Sequence, residues 1–218
     1  MKIHSNTSVE NFIQKNNCCH QLPEGYKEIY KLNLQKDKSK AILINLLALV
    51  IGIIMLIAGH LIVPMSVVFN DYVACLEGAV DGFSKTNALF LVKILVLVAG
   101  LFVYMILHEL VHGICMKYFG AEKVKYGFTG LYAYAGCADY FSKVPYIIIA
   151  LAPVVVWGIV LLILNLVLDT SWFWIIYIIQ MANISGAAGD LYVTYKFSKM
   201  PKDILVHDSG IAMEVYSK

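Results

Sequence analysis

Between residues 41 and 63 the chain carries almost nothing but Ile, Leu, Val, Ala and Gly, and apolar runs of similar length follow at 88–119, 146–168 and 172–195. About 20 apolar residues in a helix, rising ~1.5 Å each, cross a hydrocarbon core ~30 Å thick. Backbone polar groups in lipid must be satisfied internally, so only helices and closed barrels span it. Runs this long, without strict alternation, predict helices. The expected fold is an all-α polytopic membrane protein with about four transmembrane helices. Composition agrees: 60% of residues are hydrophobic and 15% charged, against about a quarter charged in a soluble domain.

Punctuation between the runs sharpens the outline. Pro64 ends the first, and Gly120 follows the second, where it suits a left-handed helix cap. The second run is long for one span and should tilt or protrude. Residues 65–87, with Asp71, Glu77, Asp81 and Lys85, read as a loop. VKYGF at 124–128 and LYAYAGC at 131–137 alternate and are rich in aromatic residues, which predicts a short β-hairpin-like loop between spans 2 and 3. Pro153 lies early in the third span, where it is tolerated with a kink. Residues 169–171 form a tight loop, and Trp172 and Trp174 are interface anchors of the fourth span. Lys93, near the outer end of its span, is expected to snorkel to the interface. The resulting division is a cytosolic segment at 1–40, a four-helix transmembrane domain at 41–195, and a polar cytosolic tail at 196–218. No internal repeat is visible.

Orientation follows from lysine. Residues 1–40 hold seven Lys, 121–144 three and 196–218 four, whereas the other two connections hold one and none. The positive-inside rule places both termini and the middle loop in the cytosol, so the expected setting is a cytoplasmic membrane. Residues 1–40 contain no apolar stretch of the kind a signal peptide needs. The net charge is only +2 and Arg is absent, which argues against a nucleic-acid partner. The cysteines (Cys18, Cys19, Cys75, Cys115 and Cys137) form no CxxC pair. They read as free thiols, neither a disulfide framework nor a thiolate zinc site.

Late in the second run stands HELVH, residues 108–112. On a helix His108 and His112 lie one turn apart on the same face, where two neutral imidazoles can share a metal ion. Glu109, beside the first, is a carboxylate that can take a proton from a water activated there. The plain alternative is three incidental polar residues near a helix end. Against it stands cost, because a charged group near a bilayer centre costs at least ~2.5 kcal/mol by insertion scales and so usually marks function. A catalytic zinc needs a third protein ligand. Spans 2 and 4 both run inward, and at ~1.5 Å per residue His108 lies ~30 Å and Asp190 ~27 Å below their outer starts. Asp190 is the one acidic residue of the fourth span, with Gly186, Gly189 and Ser185 nearby, small residues that let helices approach closely. Asp190 has its own plain alternative, capping the helix end or pairing with Lys196 or Lys199. His207 and Asp208 in the tail are the next candidates for the third ligand. His60 is at the wrong depth, His4 and His20 lie in the polar leader, and Asp139 and Tyr134 sit in the middle loop near the inner face.

HELVHG at 108–113, LAP at 151–153 and N-x-x-G-x-x-G-D at 183–190, in that order, resemble the bacterial family named Putative zincin peptidase, first catalogued as a domain of unknown function. That family in turn resembles the site-2 proteases, intramembrane zinc enzymes with HExxH in one span and an Asn followed by Asp-Gly in another. The resemblance implies Zn2+ as cofactor, His108, His112 and Asp190 as its ligands, Glu109 as catalytic base, and Asn183 near substrate. Here Leu191 follows Asp190, and no Pro lies between Asn183 and Asp190. The expected activity is zinc-dependent intramembrane or membrane-proximal proteolysis. The substrate would be a membrane protein or peptide, which the extended middle loop can bind as an added strand. A non-catalytic metal-binding scaffold and a small metal or proton transporter are the other classes such residues serve.

Overall fold

The structure, a computed structural model, describes residues 17–80, 85–130 and 132–218. His4, Asp81 and Leu131, with the rest of 1–16 and 81–84, lie outside the described residues. Six α-helices carry most of the described chain: α1 (Lys38–Ile62), α2 (Ser66–Val80), α3 (Lys85–Tyr118), α4 (Lys143–Val167), α5 (Phe173–Gly186) and α6 (Ala188–Ser198). Among the described residues, α1, α3 and α4 are long and apolar enough to cross a membrane. Their Leu, Ile and Val side chains, such as Ile54, Leu95, Val98 and Leu166, lie largely on the surface. So much exposed apolar surface suits lipid rather than water.

Two expectations about helices are corrected. Most of 65–87 is not loop but α2. Its acidic residues are spread over successive turns, so they read as a polar stretch while still fitting a helix. Asp71 of α2 lies 2.6 Å from Lys93 Nζ. Lys93 is therefore buried and paired rather than snorkelling. The run 172–195 is likewise not one helix. α5 and α6, of 14 and 11 residues, are separated at Ala187. Ser185, Gly186 and Gly189 explain the break, since Gly is a poor helix former. The Ser185 hydroxyl also donates back to the Met181 carbonyl at 2.6 Å, a bond that loosens helical geometry.

The all-α expectation is corrected as well. Among the described residues there are seven strands: β1 (Cys18–Cys19), β2 (Lys27–Leu32), β3 (Val124–Phe128), β4 (Ala133–Cys137), β5 (Tyr140–Ser142), β6 (Leu205–Asp208) and β7 (Met213–Ser217). β3 and β4 form the hairpin that the alternation predicts, with Val124 opposite Cys137. The other five make an antiparallel sheet in the order β1-β5-β6-β7-β2. The polar tail thus contributes a hairpin, β6–β7, turned by Gly210 at φ +81, a left-handed conformation that suits Gly. The polar leader contributes β1 and β2.

The chain divides into two compact units. One draws on 1–45, 107–153 and 189–218 and contains both sheets and the end of α3. Its core is Phe141, Phe197, Val193, Val206 and Val215, all fully buried, with Met116, Ile149 and Leu32 beside them. α3 stops there in a double hydrogen-bonded cap. The Gly120 amide donates to Lys117 and the Ala121 amide to Met116, with Gly120 at φ +107. The other unit, 46–106 and 154–188, packs Leu161, Ile176 and Ile179 against Leu97, Leu101, Tyr104 and Trp157.

Candidate metal centre

The helical turn that closes α3 sets His108 and His112 side by side, with ring centroids 4.9 Å apart. Both are almost fully buried. Asp190 enters from the first turn of α6, a position where the helix dipole favours a carboxylate. The break at Ala187 creates that first turn. His108 Nε2 lies 3.5 Å from Asp190 Oδ2, and His112 Nε2 lies 3.7 Å from Asp190 Oδ1. All three donor atoms fall within 4.8 Å of one another.

Those separations discriminate between two uses of the same residues. A charge-assisted N–H···O bond spans ~2.7–2.9 Å, and both contacts are longer than that. Ligands ~2.0–2.1 Å from a tetrahedral zinc stand about 3.4 Å from one another. The observed spacing is the wider of the two, and two imidazoles with a carboxylate are a donor set that zinc accepts. The residues fit the ion that the motif implies.

A further arrangement prepares one ligand, and it starts from Pro153. In an α-helix the amide of residue 153 would donate to the carbonyl of Ile149, but Pro has no N–H. Pro153 lies inside α4 and leaves that carbonyl free. It lies 2.9 Å from His112 Nδ1, which holds the proton on Nδ1 and leaves Nε2 facing Asp190 as the acceptor a metal requires. From sequence alone Pro153 reads as a tolerated kink. The available signal was that a helical Pro frees the carbonyl four residues earlier. Pro153→Ala restores the competing amide, and we expect zinc affinity to fall ~10–100-fold, the usual effect of losing an outer-shell partner. Chelator competition would measure this, and an unchanged affinity would show that the proline has no part in orienting His112.

Glu109 is partly buried, and the Ala135 amide of β4 lies near its carboxylate. Tyr126 of β3 covers the next turn. A Cβ on Gly113 would fall on its hydroxyl, so that Gly lets the hairpin lie directly on the helix.

The structure places the remaining sequence candidates elsewhere. His207 pairs with Glu214 at 3.2 Å and lies against the Tyr140 ring. Asp208 is buried, accepts from the Tyr146 hydroxyl at 2.6 Å, and has its carboxyl pushed up by burial. His60 accepts from the Met65 amide after α1. Asp139 accepts from the Glu122 amide and contacts His20. Asn183 belongs to the other unit. It is fully buried, accepts from the Tyr104 hydroxyl and donates to the Val154 carbonyl, each at 3.1 Å.

No curated protein and no solved structure matches the sequence. A family model does match, over residues 101–205, and the family is described as "Putative zincin peptidase". The matched stretch takes in His108, Glu109, His112, Pro153 and Asp190, and it assigns residues 101–205 to the same family that HELVHG, LAP and N-x-x-G-x-x-G-D resemble.

Proposed function

We propose that the chain is a zinc metallopeptidase that hydrolyses peptide bonds within or beside a membrane. The observation that carries this reading is the donor spacing of His108, His112 and Asp190, wider than a close charge-assisted hydrogen bond and right for a shared ion. Zinc supplies Lewis acidity toward a peptide carbonyl and makes a water acidic enough to react near neutral pH. The chain does the rest. His108, His112 and Asp190 hold the ion, and Ile149 fixes the tautomer of His112. Glu109 takes the proton from the attacking water and returns it to the leaving amine. The hairpin β3–β4, lying on the helical turn of the motif, supports docking of substrate as an added extended strand. The hydrogen bonds of Asn183 favour a packing role for it over contact with substrate.

We further take 172–195, interrupted as it is, as a fourth crossing. Broken helices are tolerated in membranes where the freed backbone lines a site. Both termini would then face the cytosol of a bacterial cell, with α2 on the far side. Asn70→Cys, on the exposed surface of α2, should react with an impermeant thiol reagent in intact cells above the background of the native thiols. Protection there, with labelling of the terminal segments, would reverse the orientation.

The test of function is a metal analysis of purified protein beside a cleavage assay on single-span membrane peptides. His108→Ala should lower bound zinc by one equivalent and abolish cleavage. Zinc at the centre with no cleavage of any membrane peptide would favour a scaffold, and metal flux in proteoliposomes a transporter.

A further inference from the structure

Three stretches of chain meet at the edge of the five-stranded sheet, all within the unit that holds both sheets. β1 leads into His20, the turn after α3 carries Glu122, and the turn after β4 carries Asp139. Successive strand residues point to opposite faces, so Cys18 and His20 share one face. Cys19 uses the other, where its thiol contacts the Tyr140 carbonyl. Gly120, held left-handed, passes close by, and a Cβ there would lie 3.5 Å from Cys18 Cβ. The Cys18 sulfur, a His20 ring nitrogen and an Asp139 oxygen all lie within 4.8 Å of one another, as do the donors of the centre described above. Glu122 adds a carboxylate oxygen 3.8 Å from His20 Nε2.

The geometry points to a second metal site, in which the Cys18 thiolate, the His20 imidazole and the Asp139 carboxylate bind a zinc ion that ties β1 to the turns following α3 and β4. Thiolate, imidazole and carboxylate together suit zinc better than magnesium or calcium, which prefer oxygen alone. Three protein donors leave the fourth position of a tetrahedral zinc to water. Asp139 is almost fully buried and also accepts from the Glu122 amide at 2.9 Å. That bond orients the carboxylate as an outer-shell partner would. The His20–Asp139 contact of 2.8 Å widens to the ~3.4 Å edge of a coordination tetrahedron, and the half-exposed imidazole has room to move. β1 is only two residues long, so a metal clip would hold an edge that backbone pairing alone holds weakly. The site is silent in the sequence because its ligands stand 119 positions apart and form no CxxC pair.

Cobalt(II) separates this site from the other. A thiolate ligand gives an intense near-ultraviolet charge-transfer band, and the His108, His112 and Asp190 set contains no thiolate. The full-length purified protein, stripped and reloaded with Co2+, should show that band and bind two equivalents. His108→Ala should lose one equivalent and keep the band. Cys18→Ser should lose the band and keep the equivalent at His108. His20→Ala, a change at a half-exposed position, should weaken binding of the band-forming ion at least ~10-fold. Absence of the band at saturating Co2+, or its survival in Cys18→Ser, overturns the proposal. Neither result bears on the His108 centre, which is read from its own equivalent.

Discussion

Glu109→Gln should leave zinc in place and remove hydrolysis. The substitution keeps size and hydrogen-bonding reach but removes the basic oxygen. In the proposed function His108, His112 and Asp190 hold the ion, so metal content should equal that of the wild type. A positioned acid–base group contributes typically 10²–10⁴-fold, so turnover of a membrane peptide should fall by about that range. The Ala135 amide lies near the Glu109 carboxylate, and Gln offers it a carbonyl oxygen in the same place. A failure to turn over is then chemical rather than conformational. Cleavage at the wild-type rate by Glu109→Gln would remove Glu109 from the mechanism.

Asp190→Ala should lose the zinc equivalent of the centre together with activity. With one carboxylate gone, two imidazoles on one helical turn are left to hold the ion, and the charge that offset its own is missing. His207→Ala should lose neither, because His207 is engaged with Glu214 and Tyr140. Asp190→Asn makes the comparison sharper. It retains an oxygen at nearly the same place without the negative charge, so zinc affinity should fall between wild type and Asp190→Ala. Wild-type zinc content in Asp190→Ala, measured on protein stripped and reloaded, would show that another residue supplies the third ligand.

What could be read in advance was local. The apolar runs gave α1, α3 and α4 within about three residues of their observed ends. Helical spacing placed His108 and His112 on one face, and alternation gave the β3–β4 hairpin. Depth counting singled out Asp190, although it assumed a continuous helix that in fact breaks at Ala187. What stayed hidden was long-range. β6 pairs with β5 across more than sixty residues, and β2 pairs with β7 across nearly the whole chain. Strand pairing at that distance leaves no periodic signal in a short polar segment. The 196–218 stretch contains Lys and Asp enough to look like a tail, yet Leu205, Val206 and Val215 are core residues. The pairing of Lys93 with Asp71 was missed for a related reason, since α2 had been taken for loop.

The interruption at Ala187 also bears on the order in which the protein is made. Asp190 rides on α6, a helix of 11 residues. Its inward side chains, Val193 and Phe197, are fully buried in the core shared with β6 and β7. The position of Asp190 is thus set by strands made after it. A nascent chain already carries His108 and Glu109 while residues 205–217 are still unsynthesised, but the support for Asp190 is not yet built. The three groups can therefore come together only after residues 205–217 have been made and paired, well after His108 and His112 have left the ribosome.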